Sequence, residues 1–579
     1  MTDCTRRDFL VGAAGAGALA AFGLAGCAPM SKEEAAEKAS AQAQAEGTVA
    51  SAGAGEWLGE APQIADSDIV ETKETAFLVV GAGNAGLAAA ATACELGLDF
   101  LLCEKNDFVM TPRNFFGAID TKWSKAAGIE YDRNLILNEL ARYASFKCNM
   151  DLIKVWINES GETFDWLEPF MAKGGKKPMF QGPVFEDPYD SGEGGGRYYI
   201  PPIQHQYVDE TFNAYSDPQR NELLEQYLES EGHPTLFKHE LVKLVREGER
   251  EGRVVGAVFQ TPDGYVRIDA SKGILLATGG YQANPDMIKA LQPLVPKIVT
   301  TNGYMSENDG AGIKAAMWIG ADKQAEGTAM IFNRGGVQPE VSAGYVLDKD
   351  GKEVFPGQFS QVKLGSQPFL KVNREGRRFV NESCPYDFLD HAASEQTDGV
   401  WCQIFDANAK EDIGRFSTLG CSNIKNTFVN TDLTIDDYIS DWEAAGVYWK
   451  ADTLDELAEK LKLPADQLKQ TVDRYNELYD AQYDEDYGKE SYRLSAIRTP
   501  PFYGGWFGGN LLCTLDGLRI NADMQVLDTE NRVIDGLYAA GDCSGGMFSG
   551  NYPEYYAGVA VGRTVTFGRH VARRLAGDI

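Results

Sequence analysis

The sequence predicts an α/β fold with a parallel sheet, and three consecutive features of residues 75–105 carry that prediction. The apolar run Phe77–Val80 is typical of a buried parallel strand, and the alanine-rich segment Leu87–Leu96 is typical of the helix that follows it. A glycine turn, Gly-Ala-Gly-Asn-Ala-Gly, joins the two, and a second apolar run, Phe100–Cys103, ends in the acid Glu104. This order of elements indicates a βαβ unit that binds a dinucleotide.

Within this unit each residue type suits the phosphates or the ribose of a dinucleotide. Gly81 makes the tight turn, Gly83 lets the backbone approach a pyrophosphate, and Gly86 lets the helix pack closely on the strand. The N-terminus of the helix faces the phosphates, and Glu104 can accept a hydrogen bond from a ribose hydroxyl about 20 residues after the glycine turn. The residues predicted to bind the cofactor here are Gly81, Gly83, Asn84, Ala85, Gly86, Glu104 and Lys105.

Length and composition bound the remaining possibilities. A chain of 579 residues, of which 44% are apolar, can bury large cores and is expected to divide into two or more domains. Its 54 basic and 85 acidic residues give a net charge of −31. That charge argues against nucleic acid or anionic lipid as a partner and is typical of a soluble acidic enzyme.

Two segments precede the predicted fold. Residues 1–28 contain Arg6-Arg7 ahead of a mildly apolar Gly/Ala-rich run, which predicts a twin-arginine export signal. The alternative, a transmembrane anchor, is disfavoured because the run is short and rich in alanine. Leu24–Cys27 resembles a lipobox, which would make Cys27 a lipidated N-terminus, and an ordinary cleavage site is the alternative. Residues 29–70 contain almost no β-branched or aromatic side chains, so we expect a disordered tether.

The ten cysteines show no CxxC pair, no CxxCH motif and no zinc-like spacing. No metal site is therefore predicted, and the cysteines are interpreted as small, buried, apolar side chains. Pairing in space, as around an iron–sulfur cluster, stays open as the alternative for Cys384, Cys402, Cys421, Cys513 and Cys543.

Two later strands extend the predicted cofactor site. Gly273–Tyr281 is an apolar run that leads into Thr-Gly-Gly, and Gly536–Gly546 is another that ends in Gly-Asp and a glycine pair. Both resemble strands of the FAD-binding fold, in which an acid at the position of Asp542 meets the ribityl and phosphate part of the flavin. The loop Ser306–Gly312 adds backbone donors ahead of a predicted helix, Ile313–Ile319. The residues predicted to bind FAD from these segments and the C-terminal stretch are Ala277, Thr278, Gly279, Asp309, Gly310, Gly541, Asp542, Val559 and Ala560.

Three further segments identify the family that residues 70–575 resemble. Phe369–Glu382, Ala451–Tyr475 and Pro500–Tyr503 are similar to segments of the fumarate reductase/succinate dehydrogenase flavoprotein family, which includes 3-ketosteroid dehydrogenases and a cardiac glycoside reductase. The resemblance implies a FAD-binding Rossmann-like domain of the glutathione-reductase type, interrupted by an α+β capping domain. The expected limits are 71–324, with a helical insertion on the substrate side, and 491–579 for the FAD domain, and 325–490 for the cap.

The same resemblance bears on how the flavin is held. Complex II members of the family attach FAD to a histidine in the segment just after the ribose acid. Residues 106–120 contain no histidine, so FAD is expected to be bound without a covalent bond.

Dicarboxylate reductases of this family bind two carboxylates with arginines and histidines, and this sequence departs from that pattern in three places. Tyr386 stands where the family has its proton-donating arginine. Asn551-Tyr552-Pro553 stands where a second arginine is expected, and Leu512–Leu515 replaces the segment with the substrate-binding histidine. Buried carboxylates need guanidinium partners. We therefore expect a cavity lined by phenols instead of guanidinium groups, and a substrate other than fumarate or succinate.

The replacements resemble active-site segments of the 3-ketosteroid dehydrogenases. By this resemblance Tyr386 corresponds to the catalytic tyrosine. Tyr552 and a backbone N–H, assigned to Gly558 with Tyr556 and Ala557 as alternatives, would hold a ketone or lactone carbonyl. Asp187–Tyr189 weakly resembles a third tyrosine segment, which makes Tyr189 a further candidate. Structural roles, at a domain interface for Tyr386 and against the flavin for Tyr552, are the alternatives.

Together these residues predict a flavin-dependent reductase of an activated C=C bond in an α,β-unsaturated carbonyl compound. Reduced FAD would deliver hydride from N5 to the β carbon, and Tyr386 would donate the α proton. Export and the absence of haem motifs suggest a separate electron donor, either membrane-associated or a cytochrome. The alternatives are a 3-ketosteroid dehydrogenase that works in the opposite direction, a dicarboxylate-type reductase that uses Arg113 or Arg197, and a lipoprotein that binds a ligand without turnover.

Overall fold

The computed structural model describes residues 56–180, 201–248, 250–303, 307–357, 359–416, 418, 422–428 and 431–579. Contacts divide the chain into two units, Met1–Gly59 and Glu60–Ile579, and the fold below is that of the second unit. The predicted export signal, Cys27, Tyr189 and Arg197 lie outside the described residues.

The described part of the chain alternates strands and helices. The strands are β1 (Ile69–Val80), β2 (Phe100–Cys103), β3 (Phe116–Gly117), β4 (Lys177–Phe180), β5 (Gln204–Val208), β6 (Glu240–Arg246), β7 (Val254–Thr261), β8 (Gly264–Leu276), β9 (Val299–Asn302), β10 (Ala329–Val337), β11 (Val346–Leu347), β12 (Glu353–Val354), β13 (Leu370–Val372), β14 (Trp401–Phe405), β15 (Tyr448–Ala451), β16 (Phe502–Thr514), β17 (Gln525–Leu527) and β18 (Val533–Ala539).

The helices are α1 (Asn84–Glu95), α2 (Lys122–Ala126), α3 (Arg133–Tyr143), α4 (Met150–Lys173), α5 (Arg220–Ser230), α6 (Pro285–Leu291), α7 (Val295–Ile298), α8 (Ala311–Trp318), α9 (Tyr386–Ala393), α10 (Ala409–Arg415), α11 (Lys425–Phe428), α12 (Ile435–Ala444), α13 (Leu454–Leu461), α14 (Ala465–Ala481) and α15 (Val559–Ala576).

A seven-stranded sheet contains the predicted dinucleotide unit. Its main path is β17-β18-β8-β1-β2, and β1 pairs in parallel with both β2 and β8. Phe77–Val80 is almost fully buried, as expected for the interior of a parallel sheet. The predicted α/β fold is confirmed, and β2 has the predicted limits. β1 begins at Ile69, inside the segment predicted as a tether, because its first residues pair with β8.

Two glycines hold α1 close to its neighbours. A Cβ at Gly86 would lie 1.8 Å from the carbonyl oxygen of Gly81, and a Cβ at Gly568 of α15 would lie 2.2 Å from that of Ala85. No side chain with a Cβ fits at such distances, so glycine is required at both positions. The N-terminus of α1 is thereby fixed at the end of β1, beside α15.

A six-stranded sheet contains residues from both sides of the predicted cap. β16 is buried along its whole length and pairs with β9, β10, β14 and β15, and β13 pairs with β14. Trp506 of β16 belongs to an apolar core that includes Leu457 of α13 and Val472 of α14. β9 and β16 lie outside 325–490, and the domain limits stay a prediction. This sheet supports α9, which packs against β10.

Two further observations concern membranes and thiols. Among the described residues, no helix combines the length and the apolar character needed to cross a bilayer. Within the same residues every cysteine is a free thiol, and Cys103, Cys402, Cys513 and Cys543 are buried.

Candidate active site

A cleft lies at the carboxyl ends of the parallel strands, where ligands of open α/β sheets bind. Residues that directly follow β1, β2, β8 and β18 line it, together with the start of α1. Most of the residues predicted to bind the cofactor meet here: Gly81, Gly83, Asn84, Ala85, Glu104, Lys105, Ala277, Thr278, Gly279, Asp309, Gly541 and Asp542.

The other four predicted residues are not among those that line the cleft. Gly86 is in the first turn of α1. Gly310 is the N-cap of α8 with φ of +82°, a left-handed conformation that favours glycine. Val559 is the first residue of α15, and Ala560 lines a neighbouring cavity.

The cleft fits the diphosphate and ribose of a dinucleotide. A Cβ at Gly83 would have no protein atom within 4 Å, so the backbone there borders open space. No side chain caps the start of α1, which leaves its first backbone N–H groups for an anion. Glu104 accepts hydrogen bonds from the N–H of Ala82 at 2.8 Å and of Asn106 at 3.0 Å. These bonds orient the buried carboxylate, whose remaining lone pairs suit a ribose hydroxyl.

Asp542 anchors a charged network at the far end of the cleft. Its carboxylate accepts from Arg113 at 2.8 Å and from Arg563 at 3.1 Å. Arg563 of α15 is fully buried and also donates to the carbonyl oxygen of Ser544 at 3.1 Å. The two guanidinium groups balance the negative charge of Asp542, and their hydrogen bonds fix its carboxylate beside the cleft.

A second cavity, of about 250 Å³, adjoins the cofactor cleft and shares Arg113 with it. Its aromatic residues are Phe115, Tyr215, Phe332, Tyr386 and Tyr552. The structure thus brings Tyr386 and Tyr552 together, with ring centroids 6.4 Å apart. Both side chains are almost fully buried, at 3% and 4% exposure. An aromatic cavity of this kind suits a flat, apolar ligand.

The lining of the same cavity reduces the number of candidates for the backbone N–H donor predicted beside Tyr552. Gly558 and Ala557 line it, whereas Tyr556 is not among its lining residues. Gly558 is the N-cap of α15 with φ of +83°, and a Cβ there would lie 2.6 Å from the backbone nitrogen of Gly117. Glycine is therefore needed at this position for packing alone, whatever its role toward a ligand.

The expectation of phenols instead of guanidinium groups is wrong. Arg113 and Arg334 line the cavity beside the tyrosines, and so does Lys363. Arg113 comes from the loop after β2, Arg334 from strand β10 and Lys363 from the turn Lys363–Ser366, and none of these is a position compared in the sequence. Arg334 donates to the hydroxyl of Ser422 at 3.1 Å, and its guanidinium lies 4.0 Å from the ring centroid of Phe332. An arginine in the otherwise mainly apolar strand β10 was the available sequence signal.

Glu554 is the other functional candidate that the sequence reasoning missed. Its side chain lines the cavity, and its carboxylate accepts from the backbone N–H of Tyr386 at 2.7 Å and from Ser422 at 3.5 Å. Burial raises the pKa of Glu554 to about 7, although Arg334 and Arg493 oppose the shift. The sequence signal was a single charged residue in the otherwise uncharged stretch 550–558.

Two more carboxyl groups lie beneath Tyr386 on the same helix. Asp387 and Asp390 of α9 are buried, and burial together with the neighbouring carboxylates raises the pKa of each well above its usual value. Burial therefore favours the neutral, protonated form of both. Among the described residues, no cluster of three or more His, Cys, Asp or Glu side chains is arranged to hold a metal ion.

A dinucleotide cleft that adjoins an aromatic cavity with candidate acids is the architecture of flavin-dependent oxidoreductases. The chain belongs to the FAD binding domain family, whose model matches residues 77–555. The predicted family resemblance and FAD as cofactor are thereby confirmed, and the protein is a FAD-dependent oxidoreductase that acts on C=C bonds.

Curated relatives span the whole oxidoreductase region. A vinyl phenol reductase of Lactiplantibacillus plantarum is 28% identical over 519 residues, which cover 86% of this chain and 96% of the relative. A digoxin reductase of Eggerthella lenta is 25% identical over 608 residues, which cover 99% of this chain and 96% of the relative. Fumarate reductases of Shewanella frigidimarina and a 3-oxosteroid 1-dehydrogenase of Mycolicibacterium smegmatis are also among the matches.

Solved structures agree on the fold. The 3-ketosteroid-Δ4-(5α)-dehydrogenase from Rhodococcus jostii RHA1 superposes with a TM-score of 0.64 and 22% sequence identity, over 88% of this chain and 99% of that chain. At that identity the similarity shows only the shared fold, and the substrate has to be inferred from the residues of the cavity.

Proposed function

We propose that this protein reduces the activated C=C bond of an α,β-unsaturated carbonyl compound, such as an enone. The observation that carries the proposal is the convergence of Tyr386 and Tyr552 on one aromatic cavity that adjoins the cofactor cleft. FAD, when bound in that cleft, supplies the hydride. The chain supplies the groups that hold the carbonyl and provide the proton.

The two tyrosines divide these tasks. Tyr552 and a backbone N–H at Ala557 or Gly558 would donate hydrogen bonds to the carbonyl oxygen and polarise the conjugated bond. Tyr386 would donate the α proton from its hydroxyl. The hydroxyl of Tyr552 lies 3.4 Å from the N–H of Ala560, which ties the ring to the start of α15.

A second candidate, reduction of an unsaturated carboxylate, is favoured by the cations of the cavity. Arg113 is compensated by Asp542, but Arg334 and Lys363 add positive charge near Glu554. With Glu554 partly protonated near pH 7, the cavity would attract an anion as well as an apolar ring. This candidate replaces the neutral enone by an aryl acrylate and keeps the proton donor.

We further propose that the chain works outside the cytoplasm, with FAD held non-covalently and electrons delivered by a separate membrane-associated or cytochrome donor. The twin-arginine segment and the sequence Leu24–Cys27 support export and a lipid anchor. The lack of histidine in residues 106–120 supports non-covalent binding. A ketosteroid dehydrogenase would use the same tyrosines in the opposite direction.

The decisive test is oxidation of the dithionite-reduced protein, followed by flavin absorbance, with fumarate, cinnamate and 4-androstene-3,17-dione as separate acceptors. The proposal expects fast oxidation by the steroid, and the second candidate expects fast oxidation by cinnamate. Rapid oxidation by fumarate alone would overturn both. A colourless preparation would leave a binding protein, and yellow colour that stays with the acid-precipitated protein would show covalent flavin.

A further inference from the structure

Glu554 lies in the wall between two internal spaces. It lines the aromatic cavity that contains Tyr386, and it also lines a smaller polar cavity of about 30 Å³. Among the described residues, Glu554 alone lines both. The polar cavity is bordered by Asn333, Ser366, Ser383, Thr418 and Arg493, side chains that can hold water.

The contacts of Glu554 tie it to the proposed proton donor. One carboxylate oxygen accepts the backbone N–H of Tyr386 at 2.7 Å, and the other lies 3.5 Å from the hydroxyl of Ser422. The ring of Tyr386 is only 3% exposed, so bulk water has little access to it. A phenol in that position, once it has donated its proton, needs an internal group that restores it.

We propose that Glu554 carries protons from the polar cavity to Tyr386 after each turnover. The inference rests on the proposed function, in which Tyr386 donates the α proton. In the step, the O–H bond of the Glu554 carboxyl breaks and the O–H bond of Tyr386 forms, through water in the cavity that both line. A proton from the bulk solvent, passed on by water in the polar cavity, then reprotonates the carboxylate, so the cavity water is regenerated and no electrons move.

The acidity of Glu554 agrees with this role. Burial raises its pKa to about 7, while Arg334 of β10 and Arg493 of the turn Ser491–Arg493 oppose the shift. A carboxyl group with that pKa is a stronger acid than a phenol, so proton transfer to a phenolate is downhill. The same carboxyl is weak enough to be protonated again near neutral pH.

The neighbouring acids are unsuited to the same task. Burial and the charge of Glu554 raise the pKa of Asp387 and Asp390 well above the usual range, so each holds its proton more tightly than an ordinary aspartic acid. Glu382 also borders the polar cavity. Burial alone would raise the pKa of Glu382, but the positive charges of Arg378 and Lys489 outweigh that effect, so its pKa lies below the ordinary value. Glu382 is therefore ionised and has no proton to give.

The test compares the rate of a single turnover of the reduced protein with the rate of steady-state turnover. In Glu554→Gln the amide oxygen can still accept the N–H of Tyr386, so the first oxidation of dithionite-reduced protein by the neutral 4-androstene-3,17-dione should be slowed far less than steady-state turnover. Steady-state turnover with reduced methyl viologen should fall by about 10²-fold at unchanged KM. Glu554→Asp should restore part of it. An equal loss in both phases, or none in either, would overturn the proposal.

A second variant keeps the proposal testable should Glu554→Gln not fold. Arg493→Gln removes a positive charge that faces Glu554 from the polar cavity, so the pKa of Glu554 should rise. The midpoint of the pH profile of kcat should move upward, and an unchanged midpoint would contradict the relay. Failure of the proposed function would look different, because wild-type reduced protein would then be oxidised by neither acceptor.

Discussion

The aromatic rings of Tyr386 and Tyr552 lie nearly parallel, with an angle of 6° between their planes. Tyr386 comes from α9 and Tyr552 from the loop before α15. Phe332 meets the ring of Tyr386 edge-on, with centroids 5.1 Å apart, and so fixes the geometry of the pair. Two phenols from distant parts of the chain are thus held in one orientation beside the cofactor cleft.

Tyr386→Phe should lower kcat by about 10²- to 10⁴-fold, the range for loss of a general acid, because only the hydroxyl is removed. The flavin absorbance and the melting temperature should stay near wild type. Tyr503→Phe is the matched control, since its hydroxyl contacts Asp436 at 3.0 Å and lies outside the cavity lining. Full activity of Tyr386→Phe would remove the role assigned to this tyrosine.

Arg334→Gln separates the two candidate substrates. The variant should lower kcat/KM for cinnamate about 10- to 100-fold, the equivalent of a lost charged hydrogen bond worth about 1.5–3 kcal/mol. It should affect 4-androstene-3,17-dione far less, because a neutral carbonyl does not need the guanidinium. The steroid serves as the internal control, and an equal loss for both acceptors would indicate that Arg334 supports the cavity only structurally.

Gly83→Ala tests the cofactor cleft without disturbing the fold. Gly83 has φ of −93° and no protein atom near its virtual Cβ, so alanine is tolerated by the chain. The added methyl group occupies space that the pyrophosphate needs, and FAD affinity should fall by roughly tenfold or more, about 1.4 kcal/mol. Titration of the apoprotein with FAD measures it. Gly86→Ala, whose Cβ would meet the Gly81 carbonyl oxygen, should instead fail to fold.

Arg378→Met should destabilise the protein by about 3–5 kcal/mol, because it leaves the buried Asp484 without its ionic partner and Glu382 with Lys489 alone. Arg378 pairs with Glu382 at 2.8 Å and Asp484 at 2.7 Å, and all three side chains are nearly inaccessible. Arg474→Met is the exposed control: Arg474 contacts three carboxylates, Glu477, Glu485 and Asp486, but is 42% exposed, so the variant should cost less than about 1 kcal/mol. Chemical denaturation of both variants measures the difference.

Asp390→Asn should stabilise the protein more at pH 8 than at pH 5. The pKa of Asp390 is raised by burial and by Asp387 and Glu554, so the folded state binds a proton that the unfolded state releases above about pH 4. The stability linked to that proton is complete at low pH and decreases as the pH rises toward the folded pKa. Asparagine removes the dependence. Melting temperatures at both pH values, with the exposed Asp466→Asn as control, test the sign.

The dinucleotide unit could be predicted because its signal is local. The glycine turn, the apolar runs and Glu104 all lie within residues 75–105, and each has a conformational or packing reason. The apolar run Phe100–Cys103 is by itself enough to predict the strand β2. The cavity could not be predicted in the same way, because its wall combines a loop after β2, strand β10 and the loop before α15.

Arg334 shows why part of the cavity's positive charge was missed, whereas Arg113 was named in the dicarboxylate alternative. Met330, Phe332 and Arg334 are alternate residues of β10 and line the cavity together, as the two-residue period of a strand allows. Which face of β10 meets the cavity depends on its pairing with β16, and that register shifts twice within the strand. The comparison of substrate-binding motifs therefore showed which arginines this sequence lacks, but it could not detect Arg334, which β10 supplies.

Arg113 borders both the cofactor cleft and the aromatic cavity while its guanidinium is paired with Asp542. Arg113 can therefore influence both the binding of flavin in the cleft and the binding of a ligand in the cavity. Thermodynamic reciprocity requires that any ligand which strengthens flavin binding through Arg113 is itself bound more tightly, by the same factor, when flavin is present. Apoprotein and holoprotein should accordingly rank anionic ligands of the cavity differently, and neutral ligands alike.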